Sequence, residues 1–285
     1  MSGAGPIAIS NIWKISAIYY ALLQCGYDSF SIQRGSEHIH NIEKFIHPRE
    51  AFQFFSAAKQ NTCEVYPWWP RAAILETASF YLQPDGSAFR DYQSFREYIL
   101  SATNITDKER DQNFWDWIAE FPAALTAVWE SEGFHHYLQW ENQWIQEQNA
   151  HYEKELRTIQ SCLEICVNTY RSPVRDIQMI INPIKCVYST DYHLFGGSFI
   201  FSSGTFCEES VIHEFLHHVI HPYMQDMEIE KNIQYPGIDD SYYLNGKITG
   251  QLNAFEEYAV RELTKEVISG HYPEDIFIYL KDLIV

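Results

Sequence analysis

Two histidines four residues apart with a glutamate between them, in His213-Glu214-Phe215-Leu216-His217, constrain this chain more than any other feature. On a helix, residues four apart lie about 40° from one another, so both imidazoles project to one side and can approach a single ion. The flanking sequence asks for that helix. Thr205-Phe206-Cys207-Glu208 has the form of a capping box and His221-Pro222 stops the pattern, which leaves a helix over about 206–220. Val211, Ile212, Phe215, Leu216, Val219 and Ile220 fill one continuous half of its surface, with His213 and His217 on the border and Glu214 beyond them. A border position suits side chains on the wall of a cleft. His218 lies about 100° round the helix from His217, so it cannot reach the same ion and reads as a supporting or surface residue. His217 and His221 are also four apart, but that pair lacks an intervening glutamate and ends at a proline.

Zinc accepts neutral imidazole nitrogen, and a catalytic zinc site uses three protein ligands while leaving one position open for water. The expectation is Zn2+ on His213 and His217, with Glu214 as the catalytic base acting on that water. The competing reading makes both histidines core-edge residues bonded to backbone and Glu214 a solvated charge.

Composition narrows the partners. With 38 acidic against 20 basic side chains the net charge is −18, which repels a nucleic-acid backbone and an anionic membrane surface alike, so neither is expected as a partner. Six cysteines are scattered over a chain too long and apolar to need disulfide staples, which points to a reduced, cytoplasmic protein. The apolar stretch Ile12 to Leu23 has no basic region before it and no small-residue cleavage site after it. It reads as a helix, with Asn11 or Ser10 as cap and Gly26 at its end.

The pattern is helical up to about Tyr170, with Thr106 to Glu109 as a capping box and Phe134 to about Tyr170 as one long helix. It then changes to two short apolar runs, Ile177 to Ile181 and Ser198 to Ser202, which read as strands. Helices follow over about 206–220 and 252–269, with a short one at the end. The expected fold is α+β and mainly α: a helical N-terminal region over 1–171 with no assigned role, packed on a small-sheet core over 172–285, either as two domains or as two lobes of one compact unit.

A third ligand should lie further along, on a helix able to face the first, and Asn253 to Arg261 offers Glu256 and Glu257. Here the sequence resembles the gluzincins, zinc peptidases with HExxH plus a downstream glutamate. It is most similar to the compact minigluzincin type and to bacterial families of unknown function that share that core. Asn182-Pro183-Ile184, Gly196-Gly197, the helix from His213 to Pro222, and Glu257 to Arg261 stand in the order those families show, and the likeness covers about residues 174–270. It implies that Glu257 is the third ligand and that Ser198 to Ser202 is an edge strand able to pair with an extended peptide. It also implies a metallopeptidase whose partner is a peptide or protein substrate. The alternative is a non-catalytic, degenerate zinc-binding gluzincin acting as a binding or regulatory module.

Periodicity leaves the ligand open, because Phe255, Ala259, Leu263 and Val267 define the buried arc and Glu256 lies nearer its centre than Glu257. Arg261, one turn beyond Glu257, favours Glu257 because it can orient that carboxylate. Asn253 and Glu256 also match a capping pair at a helix start. The thermolysin-like pattern is incomplete: no Asn-Glu dipeptide precedes the ligand and no Asp follows it one turn later. Tyr192-His193, Tyr242, Tyr243, Tyr258 and His271-Tyr272 are the candidates for the oxyanion donor. Glu37-His38-Ile39-His40 and His135-His136 read as solvated polar residues, and Cys162 and Cys166 as small buried thiols one helical turn apart.

Overall fold

The computed structural model describes residues 6–26, 39–47, 52–58, 72–102, 112–187, 189–229, 233–240 and 248–284. The chain is mainly helical around one small mixed sheet. Strand β1 (Ile9–Ser10) leads into helices α1 (Trp13–Gln24), α2 (Ala73–Phe80), α3 (Tyr92–Ala102), α4 (Gln112–Ala119), α5 (Phe121–Trp129), α6 (Glu132–His151) and α7 (Glu153–Thr169). Strands β2 (Asp176–Ile181), β3 (Asp191–Phe195) and β4 (Ser198–Ser203) follow, then helices α8 (Glu208–Ile220), α9 (Ile248–Ile268) and α10 (Ile276–Asp282). No described helix is long and apolar enough to cross a membrane.

Strand order is β1-β2-β4-β3, with β1, β2 and β4 parallel and β3 antiparallel to β4. Alternation along the strands divides the apolar side chains between two cores. Ile177, Met179, Ile181, Phe199 and Phe201 pack with α7, α8, α9 and α10, while Ile180 and Ile200 pack with α1 to α5. Contacts cross Arg171 on both faces: β1 joins the sheet edge, where Asn149 of α6 bonds both the N–H and the C=O of Ile9 at 2.8 and 2.7 Å.

Local structure departs from expectation at four places. The long helix is interrupted at Tyr152 (φ −101°, ψ 19°). Phe134 and Tyr137 at the start of α6 lie in the core under the N-terminal helices, whereas Trp144 and Ile145 further along α6 and all buried apolar residues of α7 lie in the other core. The capping box before α8 does not form: Cys207 is the N-cap and makes no side-chain bond, and the Thr205 N–H instead donates to Ser203 Oγ at 3.4 Å. Ile12, not Asn11 or Ser10, precedes α1, because Asn11 Nδ2 is drawn to Glu141 at 2.8 Å; Gly26, with φ 73°, does close the helix. The capping box at 106–109 lies outside the described residues.

The fourth departure concerns function. Ser198 to Ser203 is not an edge strand, since β2 and β3 flank it on both sides and occupy its backbone groups. The edge is β3, which Gly196 and Gly197, with φ 61° and 87°, fold back on β4 through a two-residue turn. At the other edge Asn149 occupies the backbone groups of Ile9 in β1, so among the described strands β3 is the edge at which an extended peptide could add.

Candidate metal centre

Helices α8 and α9 pack face to face beside β3. Val211, Phe215, Leu216 and Ile220 of α8 are buried, which leaves His213 and His217 half-buried at the border of that face. Phe255, Ala259, Leu263 and Val267 bury one stripe of α9, and the turn next to it presents Glu256 and Glu257 to the histidines.

The structure brings His213, His217 and Glu257 together, with one donor atom from each within 4.8 Å of the others. The two Nε2 atoms are 3.2 Å apart, and Glu257 stands 3.6 Å from His213 Nε2 and 3.3 Å from His217 Nε2. Glu256 lies behind them: it accepts from Nδ1 of His217 and of His221, each at 3.0 Å. Asn253 and Glu256 are inside α9, not at its start, so they do not form the capping pair. Arg261 Nε donates to Glu257 Oε1 at 2.8 Å, and its Nη1 bonds the carbonyl of Gly237.

The donor set fits zinc. Ligand atoms about 2.0–2.1 Å from a tetrahedral zinc stand about 3.3–3.4 Å from one another; the two Nε2 atoms are near that spacing, and Glu257 turns Oε1 toward His213 and Oε2 toward His217. Because Glu256 accepts the Nδ1 proton of His217, the ring turns Nε2 inward, and it is the Nε2 proton that a metal would displace to take the lone pair. Burial pulls the His217 imidazolium pKa down, but the hydrogen bonds to Glu256 and Glu257 outweigh it and raise it to about 10. Burial pushes the Glu257 carboxyl up, and His213 and His217 more than reverse this, holding it well below the usual carboxylate range. These carboxylates therefore favour positive charge at the point where the donors meet.

Glu214 differs from its neighbours. It is half-buried at the same cleft, which has a volume of about 560 Å³, yet no hydrogen bond or ion pair engages its carboxylate among the described residues. Burial pushes its pKa up to about 7, opposed by His217 and assisted by Asp191 and Glu257.

The other histidines and the candidate donors separate clearly. His218 bonds Ser172 Oγ at 3.0 Å, away from the cluster. His135 and His136 are exposed on α6, with His135 against Trp129 and His136 3.9 Å from Glu132. Residues 37 and 38 lie outside the described residues, as do Tyr242 and Tyr243. Tyr258 stacks on Tyr235, His271 pairs with Glu266, and Tyr272 donates to Cys162 Sγ. His193 points through the sheet to Glu76. Tyr192 alone of these candidates lines the cleft among the described residues, with its ring parallel to His217 at a centroid distance of 6.4 Å. Sequence reasoning missed Thr190, Asp191 and Asn253, which line the cleft as well. A hint of β3 existed in the alternation of Asp191 to Phe195 ahead of Gly196-Gly197. Comparison with protein-family models, curated proteins and solved structures finds no match, so the site stands on its geometry.

Proposed function

We propose that the protein is a zinc-dependent peptidase of the gluzincin kind, in which His213, His217 and Glu257 hold the ion and Glu214 is the general base. The observation that carries this reading is the free Glu214 carboxylate. Among the described carboxylates at the cleft, Glu256 and Glu257 are held by histidines and Asp191 by a lysine, whereas Glu214 has no bonded partner. A half-buried carboxylate left open beside three convergent donor groups suits proton transfer better than structure.

Bound zinc supplies Lewis-acid polarisation of a carbonyl oxygen and lowers the pKa of water. Glu214 takes the proton of the attacking water on its carboxylate and delivers it to the leaving amine. Glu256 keeps the Nδ1 proton of His217, and Arg261 holds the Glu257 carboxylate in place. The Tyr192 hydroxyl donates to the developing oxyanion from the β3 side of the cleft. The substrate backbone adds to the open edge of β3 as an extended strand.

Elemental analysis of the purified protein should find one zinc per chain, and Glu214→Gln should keep that zinc while cleaving a mixed peptide library about 10²–10⁴-fold more slowly. Undiminished cleavage by the zinc-loaded variant rules out Glu214 as the base. A protein without stoichiometric zinc rules out the metal site. Zinc without hydrolysis leaves a binding module.

A further inference from the structure

A second group of charges lies through the sheet from the metal ligands, between β3, β4 and the N-terminal helices. Lys185 is wholly enclosed, and its Nζ donates to Glu76 Oε1 at 2.9 Å, Asp191 Oδ2 at 2.8 Å and Ser202 Oγ at 3.0 Å. Glu76, also wholly enclosed, accepts in addition from the Tyr19 hydroxyl and pairs with His193 Nε2 at 2.8 Å. Local sequence delivers the lysine to this place. Asn182 Oδ1 accepts the N–H groups of Ile184 and Lys185, which turns the chain after β2, and only glycine fits at 204, where a Cβ would stand 2.1 Å from the Lys185 carbonyl oxygen.

Enclosing such a network costs desolvation that an apolar core would avoid. One of its members reaches the cleft. Asp191 is held by Lys185 through Oδ2, no described group bonds Oδ1, and the residue lines the cleft beside Glu214. The groove runs on past Thr190, His213, Glu214 and Glu257 to a second cavity. Its two ends differ in charge: the described lining at the Asp191 end carries no lysine or arginine, whereas the far end carries Arg261 and Lys265.

We propose that Asp191 is a substrate-binding residue that receives a cationic group of the substrate, an alkylammonium or a guanidinium, and that the N-terminal helices hold it there through Glu76 and Lys185. This rests on the zinc-peptidase reading. The lysine anchors one oxygen and leaves the other for a charge-assisted hydrogen bond. The N-terminal half thereby has a task, which is to build one wall of the cleft.

The test uses the zinc-loaded full chain and matched hydroxamates. Calorimetry compares glycine hydroxamate with acetohydroxamate, for an α-ammonium, and 6-aminohexanoyl hydroxamate with hexanoyl hydroxamate, for a basic side chain. At least one amino compound should bind about tenfold more tightly than its neutral partner. In Asp191→Asn, whose amide oxygen can still accept from Lys185, that ratio should fall to near one, and Asp191→Glu should recover part of it. Equal binding of both pairs to the native protein, or a ratio that survives in Asp191→Asn, overturns the subsite while leaving the zinc reading intact. Failure of all four hydroxamates to bind overturns the zinc reading and the subsite with it. The pair that discriminates identifies the source of the cationic group.

Discussion

The cluster under the N-terminal helices and the cluster between α8 and α9 are made of the same parts, carboxylates against cationic or imidazole groups, but they are finished differently. Around Lys185 both oxygens of Glu76 and all three ammonium hydrogens have partners. Burial pushes the Glu76 carboxyl up, yet Lys185 and His193 outweigh it and hold it well below the usual range. Around His213 the donors converge without closing: two Nε2 atoms face each other at 3.2 Å, and Glu214 bonds to nothing described. Within a low-dielectric interior an open polar group is costly unless something else completes it. A closed network is explained by the fold, whereas an open one asks for a ligand.

The largest effect should come from opening the closed cluster. Glu76→Gln leaves Lys185 and His193 short of charge and should lower stability by about 3–5 kcal/mol in urea titrations. Glu214→Gln, which breaks no bond, should change stability by only about 0.5 kcal/mol. Equal losses would mean that both clusters are structural and would remove the contrast. Next in size is the orienting carboxylate. Glu256→Gln should weaken zinc about 10–100-fold in competition with a chelator, because the inward lone pair of His217 depends on the bond at Nδ1. Unchanged affinity would show that Glu256 does not set the tautomer. The smallest effect belongs to Thr205→Ala, which should stay within about 0.5 kcal/mol because Thr205 caps nothing. A loss of about 1 kcal/mol or more would reveal a cap formed in solution.

Much of α8 was legible because a helix is a local object. The repeat of Val211, Phe215 and Val219 and the four-residue spacing of His213 and His217 fix their relative direction without help from the rest of the chain. The Glu256/Glu257 choice resisted periodicity because both residues border the buried stripe and lie only about 100° apart. Which one meets Nε2 and which meets Nδ1 depends on how α9 crosses α8. Strand β4 was legible as an apolar run, but its neighbours were not, since pairing joins segments distant in sequence and the edge passed to β3. The break at Tyr152 was likewise hidden, because the amphipathic pattern runs on across it, and Trp144 and Ile145 before it share a core with Leu156 and Ile159 after it.

By itself the sequence determined a net charge of −18, a helix carrying two histidines and a glutamate, and a later helix with two carboxylates. These follow from composition and from spacings of a few residues, where backbone geometry leaves little choice. Only the tertiary structure decided that Glu257 faces the histidine pair, that Glu256 stands behind it, that β3 is the open edge, and that Glu76 reaches Asp191 through Lys185. Each of these joins residues whose separation along the chain carries no directional information, so their meeting is set by how helices and sheet pack.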